Sequence, residues 1–157
     1  MLSLMIADDE NLARRVIREF LKNHNDIHIL GECSDGLEAL RFIQEKNPDL
    51  ILLDIHMPEL TGLEVLELSG RKSGVIFSTA YDQYALRAFD LHAVDYLLKP
   101  FSQMRFDLAL DKARKLHDDG AIQKLLQNTR LKRIVLRERG LLQTIAVEDI
   151  LYIQAQD

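Results

Sequence analysis

The chain has a single cysteine, no tryptophan, few prolines and glycines, and no long apolar run. One cysteine excludes an internal disulfide and suits a reducing compartment such as the cytoplasm, where we expect Cys33 to fill core space. No segment approaches the roughly 18 consecutive apolar residues of a transmembrane helix, and no signal peptide opens the chain. These absences predict a cytoplasmic globular protein that does not associate with membranes.

A strong charge of either sign is also absent. The formal net charge is −5, with the acidic excess in residues 1–117 and a balance of charges in residues 118–157. Binding to a phosphate backbone requires a basic patch, which the sequence does not show. DNA binding by this chain alone is therefore not expected. The apolar fraction of 47% and charged fraction of 29% are typical of a globular domain with a buried core.

Short apolar runs alternate with helical periods in the first three quarters of the chain. The predicted strands are Leu2–Ala7, Ile27–Cys33, Leu50–Leu53, Val75–Ser78 and Val94–Leu98. The first helix has an apolar stripe of Leu12, Val16, Ile17, Phe20 and Leu21. The last has Met104, Leu108, Ala109, Lys112 and Leu116. This alternation predicts an α/β fold, a doubly wound (βα)5 parallel sheet with the flavodoxin-like order 2-1-3-4-5.

The pattern changes after residue 117. Asp118-Asp119-Gly120 predicts the end of the fifth helix, and the next residues suit a linker or a short amphipathic helix. Strands are then predicted over Ile134–Leu136, Leu141–Val147 and Ile150–Ile153, with a turn at Arg139-Gly140. We therefore expect a domain over residues 1–117, a linker over 118–131 and a short C-terminal β segment, the start of a second module, over 132–157.

Charged side chains follow three of the predicted strands. Asp8 and Asp9 follow the first strand, Asp54 the third and Lys99 the fifth. Ligands of open α/β sheets bind beyond the carboxyl ends of the strands, where the strand order reverses. With Lys99 ionised, the local charge would be about −2, which one divalent cation cancels. Mg²⁺ prefers such hard oxygen ligands, whereas the five histidines lack the spacing of a zinc site.

A carboxylate beside Mg²⁺ can act as a nucleophile and form an aspartyl phosphate. Asp54 is best placed as acceptor because it ends the central strand, opposite the acidic pair. Phosphoryl transfer depends mainly on positioning and charge neutralisation. Mg²⁺ would bind one phosphoryl oxygen, Lys99 another, and the hydroxyl of Thr79 the third.

The landmarks resemble, in order, those of bacterial response-regulator receiver domains: Asp8-Asp9, Asp54 with Met57-Pro58 and Gly62, Thr79-Ala80, and Tyr96–Phe101. The resemblance covers residues 1–117 and implies that Asp54 is the phosphoacceptor. Mg²⁺ would be bound directly by Asp9 and mainly through water by Asp8. His56 would offer its backbone carbonyl to the metal. The resemblance also implies phosphoryl contacts from Thr79 and Lys99, an aromatic switch at Tyr96, and a cis bond before Pro100.

A second resemblance concerns the output. Thr79–Ala85 is similar to receivers attached to LytTR-type (LytR/AlgR) DNA-binding domains, and residues from Lys132 resemble the opening strands of such a domain. The family implies phosphorylation by a sensor histidine kinase and control of transcription, with DNA contacted through a part of the LytTR domain expected to lie outside this chain. It also implies homodimerisation through helix 4, strand 5 and helix 5. Here that face would include Tyr84, Arg87, Ala88, Lys112 and Arg114.

Other interpretations remain open from the sequence. Asp9 could cap the first helix, Asp54 could begin an Asx-turn, and Tyr96 could be ordinary packing. A Mg²⁺-dependent phosphatase could use an aspartyl-phosphate intermediate, although position 56 is His where a haloacid-dehalogenase-type enzyme has a second aspartate. A phosphorylation-independent interaction module is the third alternative. The segment between Gly62 and Thr79 is short for a receiver, which predicts a stunted third helix.

Overall fold

A five-stranded parallel sheet organises the first part of the chain. The computed structural model describes residues 1–128 and two strand segments, 133–138 and 141–146. The sheet comprises β1 (Leu2–Ala7), β2 (Ile27–Cys33), β3 (Leu50–Leu53), β4 (Val75–Thr79) and β5 (Asp95–Leu98). Its strand order is β2-β1-β3-β4-β5 and every pairing is parallel. The predicted (βα)5 fold is confirmed.

Helices connect the strands. They are α1 (Asn11–Leu21), α2 (Gly36–Lys46), α3 (Gly62–Ser69), α4 (Ala85–Asp90) and α5 (Gln103–Asn128). The third helix has eight residues, in agreement with the short element expected from the sequence. It begins with a capping box, in which the side chains of Thr61 and Glu64 each accept a backbone N–H of the other residue. It ends at Gly70, whose positive φ of 68° suits a residue without a Cβ.

The core lies on both faces of the sheet, because successive side chains of a strand point to opposite sides. In β1, Leu4 and Ile6 pack into a cluster that includes Ile17 of α1 and Phe106 of α5. The alternate residues, Met5 and Ala7, belong to the opposite cluster. That cluster also holds Cys33, and burial raises the pKa of its thiol to about 12, so the residue is a neutral part of the core.

The apolar stripe predicted for α5 is mostly wrong, because Ala109 is the one member of it that is buried. Met104, Leu108 and Leu116 are exposed, and the buried side chains are Phe106, Ala109, Leu110 and Ala113. Both sets follow helical spacing, so periodicity alone does not choose between them. Which set is buried is decided by how α5 packs against the sheet residues of the first cluster.

The stripe predicted for α1 is partly wrong for a similar reason. Ile17 and Leu21 are buried, but Leu12 is 69% exposed and Val16 is also exposed. The first turn of α1 follows the acidic segment at the edge of the sheet, where the core no longer covers it. The buried part of this helix is therefore its second half.

The predicted end of the fifth helix at residues 118–120 is also wrong, because α5 continues to Asn128. A Cβ on Gly120 would meet no atom within 4 Å, so no close contact requires a glycine at this position. The glycine lowers the helix propensity of α5 but does not end the helix. The chain divides into two compact units, 1–117 and 118–157. The proposed linker and domain boundaries within the second unit stay predictions.

The second unit contains an antiparallel pair, β6 (Arg133–Glu138) and β7 (Leu141–Ala146). The predicted turn at Arg139-Gly140 and the third strand at Ile150–Ile153 lie outside the described residues. Within the described ranges, no helix combines the length and apolar character needed to cross a bilayer.

Candidate functional site

Four carboxylates gather at the carboxyl edge of the sheet. Asp8, Asp9 and Glu10 form the turn after β1, and Asp54 follows β3. One carboxylate oxygen from each lies within 4.8 Å of those of the others. The neighbouring strands β1 and β3 are held in register by their ladder, and the Asp54 N–H donates to the Ala7 carbonyl at 2.9 Å. The sheet therefore brings together acids that are more than 40 positions apart in sequence.

Lys99, in the segment after β5, supplies a cation to this cluster. Its Nζ lies 2.7 Å from Asp8 Oδ2, 3.4 Å from Asp54 Oδ2 and 3.7 Å from Glu10 Oε1. Burial lowers the pKa of Lys99, but the hydrogen bond to Asp8 and the surrounding negative charges outweigh burial, so its pKa is raised. Lys99 is therefore charged at neutral pH. The Lys99–Pro100 peptide bond is cis.

Asp54 is nearly buried, with 4% of its surface exposed. Burial raises its pKa to about 6, the charge of Asp8 adds to the rise, and Lys99 opposes it. Its Oδ1 accepts the N–H of His56 at 3.4 Å, so the Asx-type contact considered from the sequence coexists with membership of the acidic cluster. A carboxylate held buried beside other acids is under electrostatic stress, which a bound cation would relieve.

Asp9 does not cap the first helix. The N-cap residue of α1 is Glu10, and no side chain accepts a hydrogen bond at this cap. The Glu10 N–H instead donates to Asp8 Oδ1 at 2.9 Å. The Asp9 side chain is exposed and belongs to the acidic cluster.

Thr79 and Tyr96 lie on the two strands beyond β3. Thr79 is fully buried at the end of β4, and its Oγ1 accepts the Tyr81 N–H at 3.4 Å. Tyr96 on β5 is half-buried, and its hydroxyl donates to the backbone carbonyl of Tyr81. The backbone of Tyr81, in the segment after β4, thus contacts both side chains that were predicted to form the switch.

The His56 side chain has an environment that the sequence did not suggest. Its ring meets Tyr81 edge-on with centroids 4.4 Å apart and Tyr84 at 5.3 Å. These contacts join the loop after β3 to the segment between β4 and α4. The role of its backbone carbonyl as a metal ligand stays a prediction.

The donor set suits Mg²⁺. Carboxylate oxygens are the hard ligands this ion prefers, and it is usually held by one or two carboxylates while it keeps several waters. Glu10 was not among the residues predicted for the cluster. Its inclusion makes the formal charge −3 with all four acids ionised and Lys99 protonated. The position of Glu10, directly after Asp8-Asp9, is the signal that could have revealed it.

Two residues of the predicted pairing face are placed elsewhere. Ala88 lies on α4, is fully buried and offers no outer surface. The Arg114 guanidinium pairs with Asp26, with Nε 2.7 Å from Oδ2, and with Asp111 one turn earlier on α5. Tyr84, Arg87 and Lys112 retain exposed or half-exposed surface.

Comparisons with known proteins identify the family of the chain. Residues 4–111 match the family described as response regulator receiver domain. The chain is 34% identical over 159 aligned positions to the transcriptional regulatory protein BtsR of Escherichia coli K12, covering 99% of this chain and 66% of that protein. It is 41% identical over 126 positions to the sensory transduction protein LytT of Oceanobacillus iheyensis, covering 77% of this chain and 51% of that protein.

Solved structures give the same result. The response regulatory domain of mrkE from Klebsiella pneumoniae superposes with a TM-score of 0.69 at 31% identity, covering 75% of this chain and 99% of that domain. A DNA-binding response regulator of the LuxR family from Staphylococcus aureus superposes with a TM-score of 0.65 at 35% identity, covering 72% and 98%.

The fold, the acidic edge and the family match define a two-component signalling protein, and the chain belongs to the response-regulator receiver family. Its resemblance to regulators of the LytTR type is confirmed by the same comparisons. The chain spans about two-thirds of the length of BtsR and half that of LytT.

Proposed function

We propose that Asp54 accepts a phosphoryl group from the phosphohistidine of a sensor kinase. The Asp54 carboxylate oxygen forms a bond to phosphorus while the P–N bond breaks. The bonding electrons pass to the imidazole, which takes a proton from solvent. The observation that carries the proposal is the convergence of Asp54 with Asp8, Asp9 and Lys99 at one edge of the sheet.

Mg²⁺ held by this edge would supply charge neutralisation for the incoming phosphoryl group. Asp9, Asp54 and the His56 carbonyl would bind it directly, and Asp8 mainly through water. Lys99 would contact one phosphoryl oxygen and the Thr79 hydroxyl another. Because Lys99 is already ionised and close to Asp54, it can follow the new charge with a small movement.

Phosphorylation would then shift a two-state equilibrium. Thr79 and Tyr96 both bind the backbone of Tyr81, so a movement of Thr79 toward the phosphoryl group would be felt by the Tyr96 hydroxyl. The affected surface is formed by α4, β5 and α5, and we infer that two copies pair through it when phosphorylated. The outer part of this face would include Tyr84, Arg87 and Lys112.

Output would pass to a DNA-binding domain of the LytTR type. Residues 132–157 would form its opening strands, and β6 with β7 supply an antiparallel pair there. The printed name of BtsR, a transcriptional regulatory protein, supports transcriptional control as the output. We further infer that the protein acts in the cytoplasm, where sensor kinases present their phosphohistidines.

Incubation with a small acyl phosphate and Mg²⁺ tests the proposal. Mass spectrometry should show the gain of one phosphoryl group, and Asp54→Asn should abolish it. Asp35→Asn is a matched control, because Asp35 caps α2 outside the site and asparagine caps equally well. Failure of the wild-type chain to gain mass would favour a phosphorylation-independent interaction module. Sustained hydrolysis of a generic phosphate ester would favour the phosphatase.

A further inference from the structure

One arginine on α1 holds the turn that carries three of the four acids. The Arg14 Nη1 donates to the backbone carbonyl of Asp8 at 2.5 Å. The backbone N–H of the same residue donates to the carbonyl of Glu10 at 3.2 Å. Arg14 therefore binds the first and the last residue of the turn between β1 and α1.

The guanidinium is itself fixed by a neighbouring strand. The Arg14 Nε lies 3.3 Å from Glu32 Oε1 on β2, and the Nη2 lies 3.4 Å from Asn11 Oδ1. Only 17% of the Arg14 side chain is exposed. A planar guanidinium can donate in several directions at once, which a lysine ammonium on a flexible stem does less well. The acidic turn is thus tied to both α1 and β2.

We propose that Arg14 is a positioning residue for the acidic site. It would fix the backbone of the turn so that the carboxylates of Asp8 and Asp9 stay at the separation from Asp54 that one divalent cation can bridge. The inference rests on the proposed function, and it adds a residue that touches neither the metal nor the phosphoryl group.

An electrostatic role and a positioning role for Arg14 predict opposite changes in Mg²⁺ affinity when this residue is replaced. Arg14 is a cation near an acidic site, so its charge alone weakens the binding of another cation. Replacement by glutamine would then tighten Mg²⁺ binding. If Arg14 instead fixes the turn, the same replacement loosens the site and weakens Mg²⁺ binding, as substitutions that orient ligands from outside the coordination shell commonly do.

The test compares Mg²⁺ dissociation constants measured by calorimetry for the wild type, Arg14→Gln and Arg14→Lys. Both variants should bind Mg²⁺ about tenfold more weakly, because neither has the planar guanidinium that holds the turn. Lysine keeps the positive charge, so Arg14→Lys separates the effect of charge from that of geometry. Arg18→Gln is the matched control. Arg18 also pairs with Glu32, at 2.5 Å, and has no contact with Asp8 among those described, so its constant should stay within about twofold.

A further variant keeps Arg14 and replaces the carboxylate that pairs with it on β2. Glu32→Gln should weaken Mg²⁺ binding by a smaller factor than Arg14→Gln, and it serves the test if the arginine variants do not fold. Thermal unfolding in chelator reports folding separately from metal affinity. Tighter or unchanged Mg²⁺ binding by Arg14→Gln, full recovery by Arg14→Lys, or an equal loss in Arg18→Gln would overturn the inference. Absence of Mg²⁺ binding by the wild type would overturn the proposed function as well.

Discussion

The Lys99 ammonium lies closer to Asp8 than to the proposed phosphoacceptor. Its Nζ is 2.7 Å from Asp8 Oδ2 and 3.4 Å from Asp54 Oδ2. Lys99 is therefore the closer partner of Asp8, and burial keeps the pKa of Asp54 raised despite the nearby cation. We therefore expect the stability of the protein to respond to pH, to Mg²⁺ and to loss of Lys99.

The contribution of Asp54 to the stability of the metal-free protein should fall as pH rises from about 4 to 6. The pKa of Asp54 is about 6 in the folded chain and 3.8 in the absence of perturbation, so the folded state binds this proton more tightly than the unfolded state. Ionisation of Asp54 above pH 6 then costs the folded state on the order of 3 kcal/mol. Asp54→Asn, measured by urea unfolding in chelator, should gain stability relative to wild type across this range. A difference that does not vary with pH would contradict the raised pKa.

Mg²⁺ should shift this titration. A metal binds the ionised carboxylate and releases its proton, so saturating Mg²⁺ should lower the midpoint of Asp54 ionisation. Carbon-13 NMR of labelled aspartate side chains measures the midpoint with and without the ion. An unchanged midpoint would mean that Asp54 does not contact the metal.

Lys99→Met should destabilise the protein by about 2–3 kcal/mol in chelator at neutral pH, because it leaves Asp8 and Asp54 buried without their cation. Millimolar Mg²⁺ should restore part of the loss, since it binds the folded state only. Lys22→Met is the control, because Lys22 pairs with Glu19 at an exposed position and the loss of this pair should have little effect on stability. Equal effects of the two substitutions in denaturant titrations would argue against a buried ionic site.

Gly62→Ala should destabilise the fold by about 2–3 kcal/mol and reduce phosphorylation of Asp54. A Cβ on Gly62 would lie 2.1 Å from the backbone carbonyl oxygen of Asp54, which cannot move without displacing the acceptor. Gly120→Ala is the matched substitution in open space on α5, and it should stabilise by up to about 1 kcal/mol. Thermal unfolding and mass analysis check both effects, and a harmless Gly62→Ala would refute the close approach.

Ser78→Ala should leave stability unchanged or raise it by up to about 1 kcal/mol. The Ser78 hydroxyl is buried on β4, and within the described part of the chain it has no hydrogen-bond partner, so its removal relieves an unsatisfied polar group. Ser3→Ala is the contrasting case, because the Ser3 hydroxyl donates to Asp49 Oδ2 and accepts the Asp49 N–H. That substitution should cost about 1–2 kcal/mol. A clear loss in Ser78→Ala would indicate a partner for this hydroxyl.

The sequence was sufficient for the strands because each is a short, mostly apolar segment that alternates with a helical period. All five were predicted within one residue of their observed ends. The acidic pair and Asp54 were recognised because the rule that ligands bind at the carboxyl edge of an open sheet needs only the strand order. The buried faces of α1 and α5 were less predictable. Both faces of α5 carry apolar residues at helical spacing, and helical period does not say which set meets the sheet.

The sequence by itself determined the α/β alternation and the residue types at the ends of the strands, since backbone and side-chain preferences act locally. Only the tertiary structure decided that Lys99 lies closest to Asp8 and that the Arg14 guanidinium is held between the turn after β1 and Glu32 of β2. These features depend on distances between segments far apart in the chain. Such distances are set when the strands pair and the helices pack, and no local pattern encodes them.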